Sequence, residues 1–280
     1  MKTFISLFAL FLSLSLTAQT NTATWYYNDA SGNGIQSINS TASGYYSTAM
    51  GFGTTASGNE STAMGTGTSA EGNFSTALGR DTTASGNYST AMGYKTTASG
   101  GTSTAMGLAT NAEDYISFAI GSFNETDENS NPYQFSFQNT AFVIGNGGFD
   151  SNGNFLGLNG PRSNAFEVLF DGTTTIAGDL NVNSDARLKA NIVSLGSTLS
   201  KLLQIDGKSY TMKKDESEKQ KIGLLAQDIE KVFPELVSES NGIKSVNYQG
   251  LVPVLINALK EQQSEIDELK TMLKTLIEKT

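Results

Sequence analysis

Ser184-Asp185-Ala186-Arg187-Leu188-Lys189 sets a hydroxyl five residues ahead of an amine. The chain has no histidine and no cysteine, which excludes Ser-His and Cys-His nucleophilic mechanisms. A serine nucleophile is left with a carboxylate, an amine or a distorted backbone to activate it. The hexapeptide lies where a Gly- and Thr-rich region gives way to a helix-forming one, and a serine near a lysine at such a boundary is worth testing. On a regular helix the two residues would lie about 140° apart. A turn must therefore bring Ser184 and Lys189 together, or they meet across two chains. The competing roles are a helix N-cap for Ser184 and a solvated amine for Lys189.

Other chemistry-bearing groups are weaker candidates. Asp150, Asn152 and Asn154 have the start of a calcium-loop spacing, but Phe155 follows where glycine is needed and Pro161 stands at the twelfth position. A solvated turn is expected there. Glu60, Glu71 and Glu113 fall on repeat turns, where solvated faces explain them better than a glycosidase acid/base pair. No cofactor or metal site is read from the sequence. The net charge of −9 disfavours nucleic acid and anionic membrane surfaces as partners.

The elements that must position these groups begin with an export signal. Lys2 precedes an apolar run from Phe4 to Leu16, and Leu16-Thr17-Ala18 ends it in a small residue, so cleavage after Ala18 is expected. The run is too short to span a bilayer, and no later stretch is expected to span one. The reading is a secreted or cell-surface protein without disulfides.

Six blocks then recur every fourteen residues: Ser47-Thr-Ala-Met-Gly51, Ser61-Thr-Ala-Met-Gly65, Ser75-Thr-Ala-Leu-Gly79, Ser89-Thr-Ala-Met-Gly93, Ser103-Thr-Ala-Met-Gly107 and Ser117-Phe-Ala-Ile-Gly121. A second half-repeat runs between them, as in Thr41-Ala-Ser-Gly44 and Thr83-Ala-Ser-Gly86, and weakens to Asn111-Ala-Glu-Asp114. A period this regular predicts a solenoid with two short strands and two tight turns per coil. Met50, Met64, Leu78, Met92, Met106 and Ile120 are expected to form one buried column beside a column of alanines. One methionine per coil buries little apolar area against chain entropy, so further copies of the chain are the expected partner. A disordered linker would not keep so strict a register.

These blocks resemble the head repeats of trimeric autotransporter adhesins. The resemblance implies a left-handed parallel β-roll in a homotrimer over residues 40–122. Met stands where that family prefers Val or Ile. No membrane-anchoring β-barrel follows, so autotransport is not expected. Residues 123–183 read as a β-stem, with strands at Phe135–Phe137, Ala141–Ile144, Ala165–Phe170, Thr173–Ala177 and Leu180–Val182.

From residue 184 Lys and Glu rise and Gly becomes rare. A short helix is expected within 196–205, strands at 208–212 and 243–248, and a helix from Gln227 to Phe233 stopped by Pro234. The last thirty residues carry a heptad. Val252, Leu259, Ile266 and Leu273 share one seam position, and Leu255, Gln262, Leu269 and Leu276 the other. That pattern predicts a self-associating coiled coil over 251–280, with Gln262 as a polar register element. The alternative is an amphipathic helix packed on its own domain.

Three blocks in order carry a second resemblance: Ser184-Asp-x-Arg187-Leu-Lys189-x-Asn191-Ile192, then Ile222-Gly-Leu-Leu-Ala-Gln227 running on to Val232-Phe-Pro-Glu-Leu-Val237, then Val246-Asn-Tyr248 before the long helix. Together they resemble the endosialidase-type intramolecular chaperone, a self-releasing Ser-Lys peptidase found at the ends of phage tail fibres. The resemblance implies Ser184 as nucleophile, Lys189 as base and Asn183–Ser184 as the scissile bond. Arg187 is a candidate for positive charge near the lysine, and Asn191 and Gln227 for support of the fold by hydrogen bonds.

The domain reading is a signal peptide (1–18), an N-terminal segment (19–39), a β-roll head (40–122), a β-stem (123–183), a chaperone domain (184–250) and a coiled-coil helix (251–280). The fold class is mainly β with a C-terminal α+β module. The function expected is an exported trimeric fibre whose C-terminal module directs assembly and releases itself in a single-turnover autoproteolysis. The alternatives are a non-cleaving surface adhesin with a permanent trimerisation module, and a carbohydrate-binding fibre. Its partners would be itself and a surface glycan or cell-surface ligand.

Overall fold

The computed structural model describes residues 25–28, 34–126, 130–213 and 219–279. The expected signal peptide lies outside the described residues. No helix among the described residues is long and apolar enough to cross a membrane. The chain forms two compact units, one up to Leu180 and one from Asn181.

The first unit is built on a β-solenoid. Strands Thr48–Phe52, Thr62–Thr66, Thr76–Arg80, Thr90–Tyr94, Thr104–Leu108 and Phe118–Ser122 pair in parallel at the repeat register, so Ala faces Ala and Gly faces Gly in adjacent coils. Two-residue strands from Thr41–Ala42 to Asn111–Ala112 form a second, six-stranded parallel sheet. At about 4.8 Å per strand, six coils extend roughly 29 Å.

Alternation along each strand decides what lies inside. Ala49, Ala63, Ala77, Ala91, Ala105 and Ala119 are fully buried, and the alanines of the short strands meet them in one core. Their neighbours at Met50, Met64, Leu78, Met92, Met106 and Ile120 point to the opposite face and are only half-buried. The expected buried methionine column is therefore an outer stripe. The coil is so thin that its interior is filled by small side chains, the alanines with fully buried serines and threonines such as Ser61 and Thr68.

Glycine permits the close stacking. Gly65 has φ of +126°, and a Cβ there would lie 1.8 Å from the carbonyl oxygen of Gly79 in the next coil. Asp114 replaces glycine in the last coil and ends the pattern. Its buried carboxylate accepts the backbone N–H groups of Asn131 at 2.9 Å and Thr140 at 2.8 Å.

The solenoid then gains one further rung. Thr140–Asn146 lies parallel to Phe118–Ser122, pairing Ala119 with Val143 and Gly121 with Gly145, and Val143 joins the alanine core. The offset is 24 residues, 142 minus 118, so this rung follows an insertion of ten. Strands Asn164–Leu169 and Thr174–Ile176 add in antiparallel fashion. Two expected stem strands are absent. Phe135–Phe137 lies in irregular chain before a turn, where Phe135 packs against Phe137 and Phe170 at 5.2 and 5.0 Å. Leu180 and Val182 are exposed and pair with no strand among the described residues.

The second unit holds helices α1 (Leu199–Leu202), α2 (Ala226–Val232) and α3 (Leu251–Ile277). Two hairpins accompany them, Lys208–Tyr210 with Lys221–Gly223 and Val237–Ser240 with Ile243–Val246. The core is Ile229, Phe233 and Val254, ringed by Leu202, Ile205, Leu224, Leu236 and Val246. α3 docks through Leu251, Val254 and Ala258, and its heptad seam lies on other faces, exposed from Val252 to Leu276.

Candidate functional site

The Ser184–Lys189 segment owes its shape to a single turn. Ala186–Leu188 forms a 3-10 turn capped by Asp185, whose carboxylate accepts the Arg187 N–H at 2.9 Å. The cap is thus Asp185, which leaves the Ser184 hydroxyl free of that role. Lys189 follows in an extended conformation, φ −118° and ψ 147°. This turn-then-extend path folds the lysine back, and its Nζ donates to Ser184 Oγ at 2.8 Å within one chain.

Arg187 is held elsewhere. Its guanidinium binds the Asp185 carboxylate, with Nη2–Oδ2 at 2.6 Å and Nε contacts at 3.0 and 3.1 Å. The guanidinium and the Arg187 N–H hold the Asp185 carboxyl below its ordinary range, and the same pairing raises the Arg187 pKa. The positive charge that the sequence offered for tuning Lys189 is therefore neutralised locally by Asp185. Asn191 adopts a left-handed backbone, φ 53°, and Gln227 sits exposed on α2.

Every residue from Asn181 to Ser197 is exposed in the single chain, Asn183 and the apolar Leu188, Ile192 and Val193 included. The segment becomes anchored just after this stretch. Glu261 on α3 accepts from Ser197 Oγ at 2.6 Å, Thr198 N–H at 2.5 Å and Leu199 N–H at 3.3 Å, and Thr198 Oγ1 donates to the Val254 carbonyl at 2.9 Å. Sequence reasoning did not find Glu261, because 63 residues separate it from Thr198 and no local motif marks it.

The other two motif blocks meet in the fold. The Tyr248 hydroxyl accepts the Leu224 N–H at 2.9 Å, and a Cβ on Gly223 would lie 2.8 Å from that hydroxyl. Asn247 N–H donates to the Leu236 carbonyl, and Asn247 Oδ1 accepts the Gly250 N–H at the start of α3. These residues hold α2, the hairpins and α3 together, so their spacing is explained by packing.

The Asp150 turn is closed by its own chain. The Asp150 carboxylate accepts from Asn152 N–H and from both nitrogens of Asn154, which lower its pKa, the Asn154 side chain most. The carboxylates at Glu60 and Glu71 are exposed, Glu71 accepting from Ser69 Oγ at 2.9 Å.

Comparison with known proteins assigns both modules. Residues 184–238 match the family model described as chaperone of endosialidase. Repeats at 38–54, 42–68, 56–82, 70–96 and 98–124 match the YadA head domain repeat. Among curated proteins, the long tail fiber protein Gp37 of Salmonella phage S16 is 36% identical over 108 residues, 35% of this chain and 14% of that protein. Long tail fiber proteins Gp37 of Enterobacteria phages M1 and Ox2 are 35% and 34% identical over 128 residues, 40% of this chain and 50% of each relative. The chain thus spans half or less of the length of these relatives. Its repeats are similar to the YadA head repeat, and the stretch that begins at the Ser184 motif is similar to the chaperone of endosialidase.

Proposed function

We propose that the chain is an exported homotrimeric fibre protein whose C-terminal module directs assembly and then releases itself at the Asn183–Ser184 bond. The observation that carries this reading is the 2.8 Å hydrogen bond between Lys189 Nζ and Ser184 Oγ, in a segment matching the endosialidase chaperone. Likeness to tail fibre proteins and adhesin head repeats supports the fibre role.

The chemistry is an acyl shift followed by hydrolysis. Lys189 takes the Ser184 hydroxyl proton as Oγ adds to the Asn183 carbonyl carbon. The C–N bond breaks, and the Ser184 nitrogen leaves with that proton as a free amine. Water then cleaves the ester, yielding an Asn183 carboxylate and a restored Ser184 hydroxyl. A lysine amine in water holds its proton at neutral pH, so the base must act in a dry setting. Leu188, Ile192 and Val193 flank the pair and are exposed in one chain. Neighbouring chains that cover them would desolvate the lysine, and cleavage would then follow assembly.

The assembly logic is kinetic. Parallel pairing between distant segments forms slowly. A C-terminal helix that gathers the chains first raises their effective concentration. The exposed α3 seam and the half-buried methionine stripe are the surfaces that partner chains would cover.

The exposure of the Ser184–Lys189 pair favours a second reading, in which the module is a permanent trimerisation handle. Gel electrophoresis of the purified full chain separates the two. Self-release gives fragments divided at 183/184, with Ser184→Ala and Lys189→Ala remaining whole. Intact wild-type protein in assembled trimers would establish the handle.

A further inference from the structure

The outer turns of the solenoid carry a side-chain ladder that stops at one place. Asn59 Oδ1 accepts the Tyr45 N–H at 3.1 Å, Asn73 Oδ1 the Asn59 N–H at 2.9 Å and Asn87 Oδ1 the Asn73 N–H at 3.0 Å. The next position in the column is Gly101, which has no side-chain oxygen to continue the ladder to the Asn87 N–H. Asn131 and Pro132 close over this gap. Gly101 N–H donates to the Pro132 carbonyl at 2.8 Å and Tyr115 N–H to the Asn131 carbonyl at 3.0 Å. A Cβ at position 101 would lie 3.0 Å from the Tyr115 ring. Between roll and insertion remains a half-open groove of about 360 Å³, lined by Asn87, Tyr88, Thr102, Tyr115 and Tyr133 among others.

The lining has a distinct chemistry. Three tyrosines face one space, and Tyr133 and Tyr88 are 85% and 60% exposed. Tyr88 also stacks on Phe74 at 4.9 Å with planes 3° apart, extending the aromatic surface along the roll. The polar lining groups are hydroxyls, an amide and backbone, with no carboxylate or basic side chain among them. The nearby Asp114 carboxylate is buried and committed to Asn131 and Thr140. Flat apolar faces with neutral donors and acceptors suit a ligand that is apolar on its ring faces and hydroxylated at its rim. A cation would need a carboxylate or a closed aromatic cage, and an anion would meet a protein of net charge −9 with no basic group in the lining.

We propose that this groove binds a neutral oligosaccharide, with Tyr88 and Tyr133 as stacking faces and Asn87 and Thr102 as hydroxyl partners. Binding involves no bond cleavage and is independent of self-release at Ser184. The test uses the full chain with maltohexaose, cellohexaose, chitohexaose and mannohexaose, read by saturation-transfer NMR and calorimetry. At least one should bind below about 10 mM. Tyr133→Ala leaves the fold intact because the ring is exposed, and should weaken that binding about tenfold. Gly101→Asn, which extends the ladder into the groove, should abolish it. Failure of all four sugars to bind, binding unchanged in Tyr133→Ala, or tighter binding of choline or sialyllactose would overturn the proposal.

Discussion

Glu261 receives four donors, from Ser197, Thr198 and Leu199, and with the Val254 carbonyl and the Asn257 amide it ties the segment that follows the Ser184–Lys189 pair to the long helix. The Ser197 hydroxyl and the Thr198 and Leu199 N–H groups hold its carboxyl below the ordinary glutamate range, outweighing desolvation. A lowered folded value has a definite sign. The tether contributes in full above the ordinary glutamate value and is lost as pH falls through the lowered one. In an NMR pH titration the Thr198 amide shift should report a midpoint below the ordinary glutamate range. Glu261→Gln should abolish that titration, and an unshifted midpoint would remove the tether from the account. At this scale the sequence brought Ser184 and Lys189 forward but not the residues that support their segment. Ser184 and Lys189 stand out because histidine and cysteine are absent and three motif blocks recur in order. The Asp185 cap was hidden, because either residue of a Ser-Asp pair is a good N-cap. The capture of Arg187 by Asp185 follows from that cap, since it brings the guanidinium beside the same carboxylate.

The coil is the element that tolerates least change. Gly65 combines a mirror-side backbone with a neighbouring carbonyl where a side chain would sit. Gly65→Ala should destabilise the roll by about 3 kcal/mol or more, visible as a lowered denaturation midpoint in a Ser184→Ala background. An unchanged midpoint would mean that the coils are not stacked at this register. The strand positions were readable because a fixed period forces like to stack on like. The inward direction was not, because hydrophobicity favours methionine over alanine, whereas the spacing between two thin sheets admits only the smaller group. The rung at Thr140–Asn146 escaped for another reason. Its Phe142-Val-Ile-Gly145 repeats the pattern of Phe118-Ala-Ile-Gly121, but the ten-residue insertion breaks the period. In α3 the reading of an amphipathic helix packed on its own domain holds on one face, and the heptad lies on others. Leu251, Val254 and Ala258 pack on the domain, while the heptad residues stay exposed, Leu269 at 65%.

Each unit alone leaves apolar groups in water, the methionine stripe half-buried in one and the α3 seam exposed in the other. The proposed trimer would bury them. Light scattering on the Ser184→Ala chain at micromolar concentration should give a three-chain mass, and Leu269→Asp, a charge within the seam, should lower it to one chain. A well-ordered wild-type monomer would contradict the assembly. The mainly β class and the α+β tail were legible in composition and periodicity, since Gly, Ser and Thr dominate one part and Lys and Glu the other. The groove under Tyr133 was not, because residues from three coils and a loop converge there only after folding. The identical register of every coil also makes the roll modular. A fourteen-residue segment gained or lost between Thr48 and Leu108 changes the distance between its two ends by one strand spacing, about 4.8 Å, and disturbs neither terminus. Unequal recombination within such a gene would therefore yield a graded series of rulers, each still closed by the same aspartate.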